Sequence, residues 1–203
     1  MKNKIKVFVS DLGNVLIPFD YNVPLKKIND RFPGLGDRFM QMYRIRYEDH
    51  RNFEKGIISE KNFISMLMKG SEFKFSEEEI CRLYSEIFLV NTELVALLPE
   101  IKKRYKLVLL SNTNSIHQKY GWGGYDFLKY FDKLILSHEV RSVKPEEAIY
   151  RAVEEWSGES SESHFFIDDI PAYIEGAKKC GWSGTVYSNV PDLLNELKSK
   201  NIL

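Results

Sequence analysis

Three short apolar runs in this sequence end on side chains that can do chemistry. Val7-Phe8-Val9-Ser10 stops at Asp11, Leu107-Val108-Leu109-Leu110 at Ser111-Asn112, and Phe165-Phe166-Ile167 at Asp168-Asp169. A further run, Leu134-Ile135-Leu136, is followed by Lys144. Taken singly these are weak signals, and Asp11 alone reads equally as the cap of the next turn. Taken together they suit phosphoryl transfer. An aspartate can attack phosphorus and carry it as an aspartyl-phosphate. Magnesium takes oxygen ligands, commonly one or two carboxylates with water and substrate phosphate. Asp11 and Asp169 meet that need, with Asp168 beside them as a second ligand or a holder of metal-bound water. A lysine offsets charge on the phosphoryl oxygens, and a serine hydroxyl with backbone amides completes a cradle.

The elements that must position these groups are legible from the same pattern. Apolar runs of this length, bounded by turn signals, read as buried strands of a parallel sheet. Gly184-Thr185-Val186-Tyr187 supplies a fifth, and helical patterns at 94–104, 145–156, 171–180 and 191–200 fall beside them. Strands alternating with helices mean βαβ units, whose strand ends share one edge of the sheet. Between residues 18 and 90 no such run occurs. Helical stretches at 25–32, 37–54, 59–68 and 76–89 fill the interval, with Pro18 and Pro24 at its start, Gly70 as a stop and Ser76 with Glu79 as a capping box. The expected organisation is an α/β core of residues 1–17 and 91–203 with a helical insertion at 18–90. Most aromatics of the insertion, Phe39, Phe53, Phe63 and Tyr84 among them, are spaced as packing residues, and Arg44, Arg46, Tyr47, Glu48 and His50 read as a surface helix face. Residues 120–130 read as an irregular loop with a short helix, its aromatics exposed as an interface or a lid.

Composition narrows the setting. Lysine plus arginine equals aspartate plus glutamate at 29 each, so no net field recruits nucleic acid or an anionic membrane. No apolar run approaches the ~18 residues of a membrane span, and Met1-Lys2-Asn3-Lys4 opens no signal-peptide core. Cys81 and Cys180 lack metal-ligand spacing and both fall in helical patterns, so they read as free thiols of a reducing compartment. The cytoplasm is the expected location and a small phosphorylated metabolite the expected partner.

Four motifs in order carry a resemblance to the haloacid dehalogenase superfamily, on its phosphatase side. They are Asp11-Leu12-Gly13-Asn14-Val15, Ser111-Asn112-Thr113-Asn114, Val143-Lys144-Pro145 and Phe166-Ile167-Asp168-Asp169 with Glu175-Gly176-Ala177 after it. Phe53-Glu54-Lys55-Gly56-Ile57-Ile58-Ser59 resembles the family's small helical cap. The first two motifs look most like the bacterial group that includes an α-glucose-1-phosphate phosphatase. The resemblance implies a Rossmann-like core and a magnesium cofactor. It makes Asp11 the nucleophile, and it puts Ser111 and Lys144 on the phosphoryl group with Leu12 and Asn112. It places Asp11, the Gly13 carbonyl and Asp169 on the metal, with Asp168 close behind.

Two positions depart from the pattern: Tyr173 stands where similar groups often place asparagine, a minor change, and the other matters more. The family's phosphatases carry a second aspartate two residues after the nucleophile, where this chain has Gly13. Glycine keeps the carbonyl for the metal and loses the carboxylate, and general acid–base catalysis is worth about 10²–10⁴-fold. An ester with a good leaving group, such as a sugar anomeric phosphate, suffers least. His117, Asp20 or a cap residue are candidates for the missing proton source. Phe19, Asp20, Tyr47, His50 and Trp122 are candidates for contact above Asp11. Two other readings stay open: a phospho-ligand binder without turnover, and a carbon–halogen hydrolase. Dehalogenases of the family work without metal and do not keep the paired aspartates, so Asp168-Asp169 counts against the second.

Overall fold

A computed structural model of the chain describes residues 4–203, and Met1-Lys2-Asn3, at the head of the expected 1–17 segment, lie outside the described residues. The valine-, leucine- and phenylalanine-rich runs pair as one parallel sheet. Its strands are β1 (Val7–Ser10), β2 (Lys106–Ser111), β3 (Lys133–Leu136), β4 (His164–Asp168) and β5 (Ser183–Val186), in the order β3-β2-β1-β4-β5. Val9 of the central strand lies opposite Val108 of β2 and Phe166 of β4. The loops after β1, β2 and β4 therefore leave one edge side by side, where the strand order reverses and open α/β sheets form their crevice.

Five helices lie between β1 and β2: α1 (Asn22–Arg31), α2 (Leu35–Ile45), α3 (Tyr47–Glu54), α4 (Glu60–Gly70) and α5 (Glu77–Ser85). Pro24 does not break α1, because it occupies the first turn, where no N–H is needed. The capping box of Ser76 and Glu79 opens α5. The pattern at 37–54 reads as one helix, but the chain breaks at Arg46 (φ −103, ψ 25). There the Arg46 guanidinium bonds the Asp49 carboxylate and its carbonyl accepts the Asp49 N–H, local bonds that compete with the helical ladder. The pattern at 94–104 likewise resolves into α6 (Thr92–Val95) and α7 (Leu98–Lys102), because Pro99 starts a new first turn.

The remaining helices are α8 (Ser115–His117), α9 (Ser137–Val140), α10 (Glu147–Ser157), α11 (Pro171–Lys179) and α12 (Val190–Ser199). Pro145 precedes α10 rather than opening it, since the Glu146 N–H closes a turn on the Val143 carbonyl at 2.8 Å. Residues 120–130 differ from expectation in exposure. A π-helical turn at Gln118–Trp122 runs on from α8, and Trp122 and Phe127 are buried in the sheet's own core, not displayed as an interface or lid. Among the described residues no helix is long and apolar enough to cross a membrane, and both cysteines are buried and free.

Side chains alternate across the sheet with the period of two expected of strands. Phe8, Leu107, Leu109, Phe165 and Ile167 pack with α6, α7 and α12, while Val7, Val9, Val108, Leu110 and Phe166 pack with α10 and α11. A third apolar cluster lies within the helical insertion and takes in Ile116 of α8, so the insertion is seated on the sheet layer. Its entry and exit run side by side and antiparallel: Asp20 N–H to the Ile87 carbonyl (2.8 Å), Leu89 N–H to Pro18 (2.9 Å) and Asn91 N–H to Leu16 (2.9 Å).

Polar contacts complete the seating. Lys55 pairs with Glu146 at 2.6 Å, and the Ser137 hydroxyl donates to the Glu54 carbonyl at 2.6 Å. Gly56 sits at this seam with φ +69, where an added Cβ would lie 2.6 Å from the His138 carbonyl oxygen. Gly56→Ala is therefore expected to cost about 1–3 kcal/mol, read as a lower thermal midpoint. An unchanged midpoint would show that the seam yields.

Candidate active site

The three loops at the sheet edge, with the segment entering α10, bring Asp11, Leu12, Gly13, Ser111, Asn112, Lys144 and Asp169 to the wall of one cleft of about 190 Å³. Lys144 is its hub. The side chain is 1% exposed, and Nζ donates to Asp11 Oδ1 (2.6 Å), Asp168 Oδ2 (2.6 Å) and the Leu110 carbonyl (3.1 Å). Those contacts use all three ammonium donors. The rings of Phe166 and Tyr173 lie 5.4 and 5.1 Å from the same nitrogen, within cation–π range.

The main chain of Lys144 is held as firmly as its side chain. Its N–H donates to Asn112 Oδ1 at 2.8 Å, and Asn112 Nδ2 donates back to the Lys144 carbonyl at 3.1 Å and to the Tyr173 hydroxyl at 3.3 Å. The Asn112 carboxamide is thus spent inside the protein, so any contact with a ligand falls to its main chain. Ser111 is the reverse case: its hydroxyl has only a 3.5 Å contact, to the Asn112 carbonyl. Asp168 is fully buried behind the cleft, with one oxygen on Lys144 and the other accepting the Ile170 N–H at 2.8 Å.

Charge in this pocket is unbalanced. Burial pushes the Asp11 carboxyl up to about 7 against the pull of Lys144, and Asp168 adds to the rise. Burial and Asp168 raise Asp169 as well. Burial would lower Lys144, yet the two aspartates hold it above its usual range. Asp11, Asp168 and Asp169 each offer an oxygen within 4.8 Å of the others. With all three ionised, the carboxylates exceed the one ammonium by two charges, and hard oxygen donors at that spacing fit a divalent cation of the magnesium kind.

Gly13 is followed by a turn in which Asn14 adopts φ 55 and donates to Asp169 Oδ2 at 3.3 Å. A Cβ at Gly13 would stand 3.4 Å from the Phe19 ring, an ordinary contact, so the missing carboxylate is not excluded by crowding at Cβ. Above the sheet edge the wall comes from the insertion and its two linkers: Phe19, Tyr21, Tyr47, His50, Arg51, Glu54, with Phe88. His50 bonds Tyr84 through Nδ1 (3.0 Å) and Glu54 through Nε2 (3.2 Å), and Arg51 reaches Glu54 at 2.6 Å. Burial would raise Glu54, but His50 and Arg51 hold it low.

Of the residues singled out from the sequence, Phe19, Tyr47, His50, Trp122 and His117 line the cleft. Asp20 does not: it is exposed, and Oδ1 accepts both the main-chain and side-chain N–H of Asn22 at 2.8 Å. Arg51, Glu54 and Tyr173 were not anticipated in the cleft wall. The spacing of His50, Arg51 and Glu54, four and three residues on one helix, was the available signal.

No family model matches the chain. A phosphorylated carbohydrates phosphatase of Thermotoga maritima is 29% identical over 133 residues, an alignment covering 61% of this chain and 62% of that relative. Among solved structures, a HAD family enzyme of Bacteroides thetaiotaomicron in complex with magnesium and inorganic phosphate superposes with a TM-score of 0.78 at 28% identity, over 91% of this chain and 94% of its own. The L-2-haloacid dehalogenase of Xanthobacter autotrophicus superposes with a TM-score of 0.65 at 21% identity, over 98% and 84%, a likeness of fold alone.

Asp11 holds its proton more tightly in the fold (about 7) than an ordinary aspartate does (3.8), so the metal-free fold loses stability as pH rises through that window. Asp11→Asn removes this loss. With a chelator present, the variant's melting midpoint should match the parent's near pH 4 and exceed it near pH 8. A difference independent of pH would contradict the assignment.

Proposed function

We propose that the chain is a member of the haloacid dehalogenase superfamily and a magnesium-dependent phosphatase of a small phosphate monoester, such as a sugar phosphate. The observation that carries the reading is Lys144 bridging Asp11 and Asp168 beside Asp169 at the sheet edge. The carbohydrate phosphatase of Thermotoga and the magnesium–phosphate complex of the Bacteroides enzyme support the chemical class.

In this reading Asp11 attacks phosphorus, the ester oxygen leaves with the P–O bonding pair, and an aspartyl-phosphate forms. Water then attacks that phosphorus, restoring the carboxylate and releasing inorganic phosphate. Lys144 orients Asp11 and compensates its charge, and Asp168 holds Lys144. The Ser111 hydroxyl and the amides of Leu12 and Asn112 receive the phosphoryl oxygens. Asp11, Asp169 and the Gly13 carbonyl would hold magnesium, with Asp168 behind them, and the ion would supply charge stabilisation at the phosphoryl group. Residues 18–90 act as the cap that closes over the ester.

Phosphate release from sugar 1-phosphates, sugar 6-phosphates and simple alkyl phosphates, with magnesium and with chelator, tests this. Magnesium-dependent release, abolished in Asp11→Asn, is expected. A folded protein that binds phosphate esters yet turns none over would instead be a ligand-binding member of the family. Gly13→Asp, for which Cβ has room, should raise turnover of alkyl phosphates by about tenfold or more. No gain on any ester would remove the missing acid as the limiting factor.

A further inference from the structure

One polar group in the cleft wall is left unused by the phosphoryl chemistry. His117 is 5% exposed and ends α8 where the helix passes into its π-helical turn. Its ring stacks on Tyr84 at 4.2 Å and meets Phe88 edge-on at 5.1 Å, and Asn114 Oδ1 accepts its main-chain N–H at 2.9 Å. The ring is therefore fixed in place. Yet Nδ1 is wholly enclosed with no hydrogen-bond partner.

That sets His117 apart from its polar neighbours in the same wall. His50 commits both nitrogens, Arg51 bonds Glu54, and the Asn112 carboxamide is spent on Lys144 and Tyr173. Burial, with His50 nearby, holds His117 well below the usual histidine range, so the ring is neutral. A neutral imidazole has one donor and one acceptor. With Nδ1 shut in and fixing neither tautomer, Nε2 is the ring nitrogen left to donate or accept, in a residue that lines the cleft. A hydroxyl has the same dual character. A phosphate dianion selects positive charge instead, and the Lys144 end of the cleft supplies that charge.

We propose that His117 is a specificity residue that hydrogen-bonds a hydroxyl of the substrate's leaving group, so that the cleft selects hydroxylated, sugar-like phosphate esters over hydroxyl-free ones. The proposal rests on the phosphatase reading above. The aromatic wall around it, Phe19, Tyr21, Phe88 and Trp122, offers ring faces and edges to the carbon skeleton of such a group.

The test compares wild type with His117→Phe and His117→Leu, two ways of removing the polar edge, so that a folding failure in one leaves the other. All are assayed with magnesium on hexose phosphates and on phenyl phosphate. Loss of the hydrogen bond should lower kcat/KM for the hexose phosphates about 10–100-fold and leave phenyl phosphate within about twofold. Inhibition by inorganic phosphate should stay the same, and His117→Gln, which keeps a donor and an acceptor, should recover part of the loss. Equal losses on both ester types, or none on the hexose phosphates, would overturn the role of His117 while leaving the phosphatase standing. A wild type silent on every ester would sink the phosphatase reading, and this inference with it.

Discussion

The ammonium of Lys144, enclosed between Asp11 and Asp168, is the constraint that the rest of the site is arranged to satisfy. An ion pair this deeply buried is weak evidence for stability, because desolvation offsets most of the attraction. Its value here lies in geometry. Three strand ends and one loop must arrive together for the contact to form, and Asn112 fixes the lysine main chain so that the side chain has one course to follow.

The same enclosure makes the site incomplete on its own terms. Burial that sharpens every electrostatic contact also leaves negative charge without a counterpart. The sheet therefore presents a pocket whose charge is balanced by retained protons or by a bound cation. The helical layer above is organised differently. Its charges, Glu54 with His50 and Arg51, are already neutralised among themselves, and the wall it offers is largely aromatic. One half of the cleft is an electrostatic trap and the other a shape.

Much of this was legible in the sequence because the core obeys short-range rules. Apolar runs ending on Asp11, Ser111 and Asp168-Asp169 fixed both the strands and the edge at which their termini meet. The insertion was legible as helical from its caps and spacing, since Ser76, Glu79 and its buried aromatics act locally. What escaped depends on contacts between distant segments. The break at Arg46 is the exception, a local backbone turn, its carbonyl taken by the Asp49 N–H, inside an otherwise good helical pattern. Trp122 reads as a loop aromatic until the sheet core is seen to absorb it. That the Asn112 side chain serves Lys144 and not a ligand, and that Asp20 turns away from the cleft, follow from partners no spacing rule supplies.

The antiparallel crossing of the two linkers, near Leu16–Asp20 and Ile87–Asn91, has a consequence for how such a molecule diversifies. The insertion departs and returns as two neighbouring extended segments, so the chain enters and leaves it through one narrow doorway. Lengthening a closed excursion of this kind adds little closure entropy, roughly 0.6 kcal/mol per doubling. Helices can be added, lost or exchanged beyond the doorway while the strand ends that carry Asp11, Lys144 and Asp169 keep their places. The charged floor and the aromatic roof are in this sense separately heritable parts.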